Sequence, residues 1–302
     1  MTTSIPRPND VARELNDRGR EAAEAGRRDE AIRAYEAAVA ADPSCATPLF
    51  NLGLLYKHEC NWVLSLDFNQ RAIVCEPTNE AAVWNLGIAA TALGRWGLAR
   101  RAWRDFGIEI PEGDGPVELP CGTAPIRINP RSDGEVVWGT RIDPARAVLE
   151  NIPYPESGHG FHDLVLNDGA PNGYRVLNGK EVAVLDELQH LERSEFGTFV
   201  AKAILDDLQL QADRLVKIAA SLRGAAEDWT SSVRILCKRC SEGRPHSEHD
   251  RDNRVPDRNR TIAVAATSSG HADRIVRAWQ GEFSGIRIES FDLMLQPRKK
   301  HS

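Results

Sequence analysis

Nowhere does this sequence approach the roughly 18 consecutive apolar residues that a membrane-crossing helix requires. The opening residues, MTTSIPRPND, lack the apolar core of a secretory leader, so the expected compartment is the cytoplasm. Charge of one sign is also lacking, and a net charge of −6 gives no general attraction to nucleic acid or anionic lipid. Six cysteines in 302 residues are too few for a disulfide scaffold, and Cys45, Cys60, Cys75 and Cys121 are scattered along the chain. There is no Gly-x-Ser-x-Gly nucleophile elbow. These absences set aside membrane channels, disulfide-built secreted domains and the best-marked hydrolases. The length leaves room for two or three domains with cores of their own.

What the chain does contain is a period. Gly19, Gly53 and Gly87 recur at an interval of 34, as do Ala31, Ser65 and Ala99, and Pro43, Pro77 and Pro111 close the three units. Within each unit, apolar residues fall at helical spacing on either side of a break, as at Gly26, so each unit reads as two helices joined by a turn. Asp29 is expected to cap the second helix of the first unit. A helical hairpin cannot bury its apolar face alone, so units of this kind stack and build an extended surface.

The pattern resembles the tetratricopeptide repeat family over residues 12–111: Leu52-Gly53 and Leu86-Gly87, Tyr35 and Tyr56, the Ala/Ser positions, and the closing prolines. Arg18, Asn69 and Phe106 depart from it. The resemblance implies an α-solenoid of three helical hairpins, whose first helices line a groove for a protein or peptide. The groove positions it implies are Asn16, Arg20, Phe50, Leu54, Lys57, Trp84 and Ile88. The paired Lys and Asn residues with which some family members clamp a C-terminal carboxylate are matched at Asn51 alone, so that mode is set aside. The strip through Phe50, Leu54, Trp84 and Ile88 is apolar, and either an outside peptide or helix or another part of this chain would cover it. No capping helix follows the third unit, so Trp96, Trp103, Phe106 and Ile110 are expected to face a further part of the chain.

Past about residue 113 the period shortens. PIRIN, EVVWGTRI, RAVLENI, HDLVL, YRVL and EVAVL are short apolar runs. Asp-Gly, Asn-Gly and Pro signals separate them, at Asp133-Gly134, Asp168-Gly169 and Asn172-Gly173 among others. Six strands at this pitch predict a small antiparallel barrel or sandwich over 114–190. Its polar loop, Ser157-Gly-His159-Gly-Phe-His162-Asp163, has the residue types of a metal or Ser/His site, but the expected reading is a solvated loop with Asp163 starting a strand.

From 191 to 302 the order is readable as βαββαβ, a ferredoxin-like sheet. The strands are GTFVAKAIL, SVRILC, RTIAVAA and IRIESFDLML. Asp206-Asp207 and Ser269 cap the helices, and a bulge is expected between Ile288 and Phe291. Phe196-Gly-Thr-Phe199-Val resembles part of an RNA-recognition signature, but on the first strand rather than the third.

Between the second and third of these strands lies Cys237-Lys-Arg-Cys240, followed closely by His246-Ser-Glu-His249. Two thiolates and two imidazoles are the ligand set of tetrahedral structural zinc. The loop 237–260 is otherwise almost without apolar residues and needs a tie. The reading is therefore a cytoplasmic protein- or peptide-binding adaptor with a structural zinc site, without membrane or nucleic-acid partners. A metal-dependent hydrolase or nucleic-acid-acting enzyme, and an RNA-binding protein, are the alternatives.

Overall fold

The computed structural model describes residues 8–132, 134–177, 180–230 and 258–298, and the chain divides into two compact units, Met1–Leu119 and Pro120–Ser302. The first unit is helical: α1 (Pro8–Glu24), α2 (Arg28–Ala41), α3 (Ala46–His58), α4 (Trp62–Cys75), α5 (Glu80–Ala92) and α6 (Trp96–Asp105). They form three hairpins in chain order, and the first helices of successive hairpins also touch, α1 with α3 and α3 with α5.

The 34-residue period has a steric origin. A Cβ on Gly19 would lie 2.6 Å from the Tyr35 ring, on Gly53 2.5 Å from the Asn69 amide, and on Gly87 2.5 Å from the Trp103 ring. Each glycine lets the second helix of its hairpin seat one side chain directly on the backbone of the first. Asn69, the departure from the aromatic pattern, is fully buried and donates to Ser65 O at 2.7 Å, while Ser65 Oγ donates to Gly53 O at 2.9 Å. The hairpin turns repeat as well: Gly26, Cys60 and Gly94 take φ values of 72°, 56° and 64°. Asn61 and Asn79 cap α4 and α5, accepting from Leu64 N and Ala82 N. Asp29, by contrast, lies inside the first turn of α2, where Arg27 holds the cap position without a side-chain bond.

The end of the third hairpin is covered by its own continuation. Trp103 is fully buried, with Trp84 edge-on to it at 5.0 Å, and Phe106 packs against the same Trp84 at 4.7 Å. The Arg100 guanidinium donates to the carbonyls of Pro111, Gly115 and Pro116, and Ile110 and Val117 are buried. Trp103 and Ile110 are thus buried beside an extended tail that Arg100 fixes through three carbonyls.

The second unit contains a barrel and a sheet. Strands β1 (Thr123–Ile128), β2 (Glu135–Arg141), β3 (Arg146–Leu149), β4 (Leu164–Leu177) and β5 (Lys180–Glu192) close in chain order. Five strands in a meander reverse direction four times, so the first and last run parallel, and β1 and β5 do so at Ile126↔Leu185. Ile126, Ile128, Val137, Leu149 and Val165 fill the interior. The runs HDLVL and YRVL belong to one strand, β4. Asp168-Gly169 and Asn172-Gly173 fall at its register shifts against β5 rather than at hairpin turns, since bulges accept the same residues as turns. The stretch LDELQHLE completes β5.

The sheet order is β7-β8-β6-β9, with β6 (Gly197–Ile204), β7 (Ala225–Asp228), β8 (Asn259–Ala266) and β9 (Arg287–Leu295), and every pair is antiparallel. Helices α7 (Leu208–Ser221) and α8 (Ser269–Glu282) complete the βαββαβ order. Phe199, Ala201, Ile262 and Val264 face the helices, whereas Val200, Ala263 and Ala265 pack with Ile152, Tyr154 and Phe161 from the barrel side. With both faces covered, β6 and β8 read as nearly continuous apolar runs. The run SVRILC lies outside the described residues, and the strand beside β8 is Ala225–Asp228. Asp207 caps α7, Ser268 rather than Ser269 caps α8, and β9 skips Glu289 against β6 at the expected bulge.

Two substitutions test the packing of the first unit. Gly87→Ala is expected to lower its stability by about 1–3 kcal/mol, because the added methyl meets a buried indole. Cys60→Gly is expected to raise it by about 1 kcal/mol, because only this hairpin turn holds a side chain at positive φ. Denaturant midpoints read both, and an unchanged Gly87→Ala midpoint would contradict the close packing.

Candidate functional site

The surface formed by α1, α3 and α5 carries the residues marked for recognition, and burial sorts them. Arg20 is exposed, and Phe50, Leu54 and Trp84 are half-buried. Asn16 is buried and accepts a hydrogen bond from Asn51 Nδ2 at 2.8 Å, which ties α3 to α1. Lys57 and Ile88 are buried, Ile88 completely. The apolar strip therefore narrows to Phe50, Leu54 and Trp84, which stand at matching or adjacent turns of consecutive hairpins. Ile88 is enclosed because α5 is buried along almost its whole circumference, from Ala82 to Thr91. Asn51, the one position fitting a carboxylate clamp, already directs its amide to Asn16.

Cys237, Cys240, His246 and His249 lie outside the described residues. Among the described residues, no group of three or more His, Cys, Asp or Glu side chains is arranged to hold a metal ion.

The second unit has a cleft of about 1000 Å³ between the barrel and the α7–β7 side of the sheet. Of its four carboxylates, Glu150 stands 3.6 Å from His162 Nε2 and the other three are engaged. Glu227 accepts from Asn151 Nδ2 and Ile152 N, Asp228 pairs with Arg260, and Asp213 accepts from Gln209. The aromatics noted for RNA recognition do not form a stacking platform. Phe199 is buried in the helix-facing core, and Phe196 packs edge-on to Phe161 at 5.2 Å.

The loop from Ser157 to Asp163 is far from a solvated connector. His159 Nε2 meets Glu187 Oε1 at 2.7 Å, and its Nδ1 meets Ser157 O at 2.9 Å. Its ring stacks on His190 at 4.4 Å, and His190 Nε2 lies 2.9 Å from Asp163 Oδ2. Asp163 accepts from the backbone N–H of Ser194 at 2.7 Å and of Gly160 at 2.8 Å. Burial pushes the Asp163 carboxyl up, but His190 and the two N–H donors outweigh it and hold the carboxyl below the usual range. Burial likewise disfavours charge on His159, and Glu187 more than offsets it, so this imidazole is held above the usual histidine range. The partners Glu187 and His190 come from β5, about 30 residues away in sequence, which is why the loop sequence alone did not reveal the cluster.

No family model matches the chain, and no curated protein matches it. Among solved structures, the second tetratricopeptide domain of Spaghetti (RPAP3) bound to an HSP90 peptide is 23% identical, with a TM-score of 0.31 over 32% of this chain and 91% of that one. The N-terminal domain of stress-induced protein-1 from C. elegans is 21% identical, with a TM-score of 0.31 over 34% and 89%. An O-GlcNAc transferase from Thermobaculum terrenum is 22% identical, with a TM-score of 0.31 over 34% of this chain and 20% of that one.

Asp163 gives the second unit an acid limit. Its depressed carboxyl stabilises the fold above the ordinary carboxylate range, and that contribution disappears as pH falls through the lowered value. Asp163→Asn would turn an amide N–H₂ toward one of the two backbone donors. It is expected to cost about 1.5–3 kcal/mol near neutrality and to flatten the acid limb. Urea midpoints between about pH 2 and 7 measure both effects; an unaltered limb would show that Asp163 is not its source.

Proposed function

We propose that the chain is a protein- or peptide-binding adaptor whose recognition surface is the face of α1, α3 and α5. The observation that carries this reading is the half-buried strip of Phe50, Leu54 and Trp84, with the exposed Arg20 at its edge. Large apolar side chains kept partly open at repeating positions fit a helix or extended segment presenting apolar residues at matching intervals. A short acidic tail such as the HSP90 peptide is a poorer fit. Its carboxylates call for several cations, and of the marked positions Arg20 is exposed while Lys57 is buried.

The same reading assigns a structural zinc ion to Cys237, Cys240, His246 and His249. Support comes from the spacing of the four ligands and from the shortage of apolar residues around them.

Affinity capture with the immobilised full chain tests the adaptor reading. Phe50→Ala combined with Leu54→Ala is expected to reduce recovery of a bound polypeptide about tenfold or more. Val74→Ala, on a side chain 82% exposed in α4, serves as the control and should leave recovery unchanged. Equal recovery by the double variant, with its helical signal intact, would end the proposal. The zinc assignment is tested separately by elemental analysis. About one zinc per wild-type chain is expected, lost in a Cys237→Ser, Cys240→Ser variant; metal-free wild-type protein would remove the assignment.

A further inference from the structure

His159 occupies a position that a neutral imidazole cannot satisfy. Its Nδ1 faces the carbonyl oxygen of Ser157, and its Nε2 faces a carboxylate oxygen of Glu187. A carbonyl oxygen can only accept, a carboxylate oxygen can only accept, and a neutral imidazole has a single N–H. The His159–Glu187 pair must therefore hold one more proton than a neutral ring beside a carboxylate, whichever of the two atoms carries it.

The surroundings leave no easy way to relax. Glu187 Oε2 accepts from Asn129 N at 2.9 Å, and Asn129 Nδ2 donates to the same Ser157 carbonyl at 2.8 Å, closing a ring of hydrogen bonds. The stack on His190 fixes the plane of the imidazole. The side chains of His159 and Glu187 are only 5% and 6% exposed, so leaving either without its partner is costly. Among the described residues, the other charged or titratable groups around the pair are His190 of β5, Asp163 just before β4, and Arg131 of the β1–β2 connection. Arg131 lines the same small cavity as His159, Glu187 and His190.

The loop held by this ring is the one that docks the barrel on the sheet. Tyr154 packs on Trp229 at 4.7 Å, Phe161 packs on Phe196, and Trp229 Nε1 donates to Ile152 O at 3.1 Å. We propose that the His159–Glu187 pair is a proton-gated latch: with its extra proton it fastens the loop between β3 and β4 to β5, and without that proton the loop lets go and the barrel–sheet contact loosens. Losing the proton sets lone pair against lone pair at either Ser157 or Glu187. A histidine held above its usual range stabilises fully below that range and loses its contribution as pH rises, so release lies on the alkaline side.

The test uses the full chain with ¹⁵N-labelled histidine, its ring resonances assigned with His159→Gln. Near neutral pH, both nitrogens of His159 are expected to be proton-bearing, or Nε2 to share the proton with Glu187. As pH rises past the transition, hydrogen exchange of the Trp229 indole should accelerate relative to that of Trp279, by about tenfold per pH unit. Trp279 donates to Gln211 O within the helix-facing core, and the ratio cancels the intrinsic pH dependence of exchange. In Glu187→Gln, the amide can donate to a neutral His159, so the ratio should stay flat with pH while the fold persists. A neutral His159 with a bare Nε2 facing an ionised Glu187, or with a bare Nδ1 facing the Ser157 carbonyl, near pH 7 would overturn the latch. So would deprotonation of His159 with no change in the Trp229 ratio, a reading the wild type gives even if either variant fails to fold.

Discussion

At three places in the helical unit the backbone of one helix is touched directly by a side chain from the next, leaving no space for even a methyl group. The seats at Gly19, Gly53 and Gly87 determine how the hairpins close. Once the second helix is pressed onto the first at that point, the direction of every other side chain follows from helical geometry. Asn69 shows that the requirement is for a seat rather than for an aromatic ring: a buried amide anchored to Ser65 occupies the same space. The face that remains available for recognition is what these seats leave over. Phe50 and Trp84, each three residues before a seat, stay partly open, and so does Leu54, whereas Ile88 is enclosed because α5 is buried on nearly all sides.

The second unit solves a different problem. Its sheet is apolar on both faces, so it needs helices on one side and the barrel on the other, and the contact on the barrel side is made by loop residues. Loops bring backbone polar groups with them, and burying those groups demands partners. Asp163, Glu187, Asn129 and Ser157 supply them. The buried charges of this unit thus follow from its architecture: a loop that must act as a core surface needs acceptors and donors that a strand would have provided through its ladder.

How far the sequence foretold this depended on whether the cause was local. The hairpins were legible because the steric seats recur at a fixed interval, and β6, α7, β8, α8 and β9 were legible because strands and helices differ in period. Strand β7 was missed because Ala-Ala-Glu-Asp has little strand preference of its own and pairs through its register with β8. The β4–β5 hairpin was divided too finely because Asp168-Gly169 and Asn172-Gly173 suit a bulge as well as a turn. The Cys60 turn was invisible because a cysteine gives no hint of positive φ. For the candidate site, Phe50, Leu54 and Trp84 were expected from the family resemblance and are half-buried, whereas the burial of Lys57 and Ile88 depends on tertiary packing. The His159 network could not be read at all, since its partners converge from β5 and from the β1–β2 connection.

Each seat in the helical unit closes within a single hairpin, Gly19 with Tyr35, Gly53 with Asn69 and Gly87 with Trp103, and none bridges two hairpins. A further unit of the same length could therefore be spliced between any two without opening an existing seat. The number of hairpins, and with it the reach of the surface they present, is then a quantity that duplication can change in whole steps while the hairpin itself is conserved as a part.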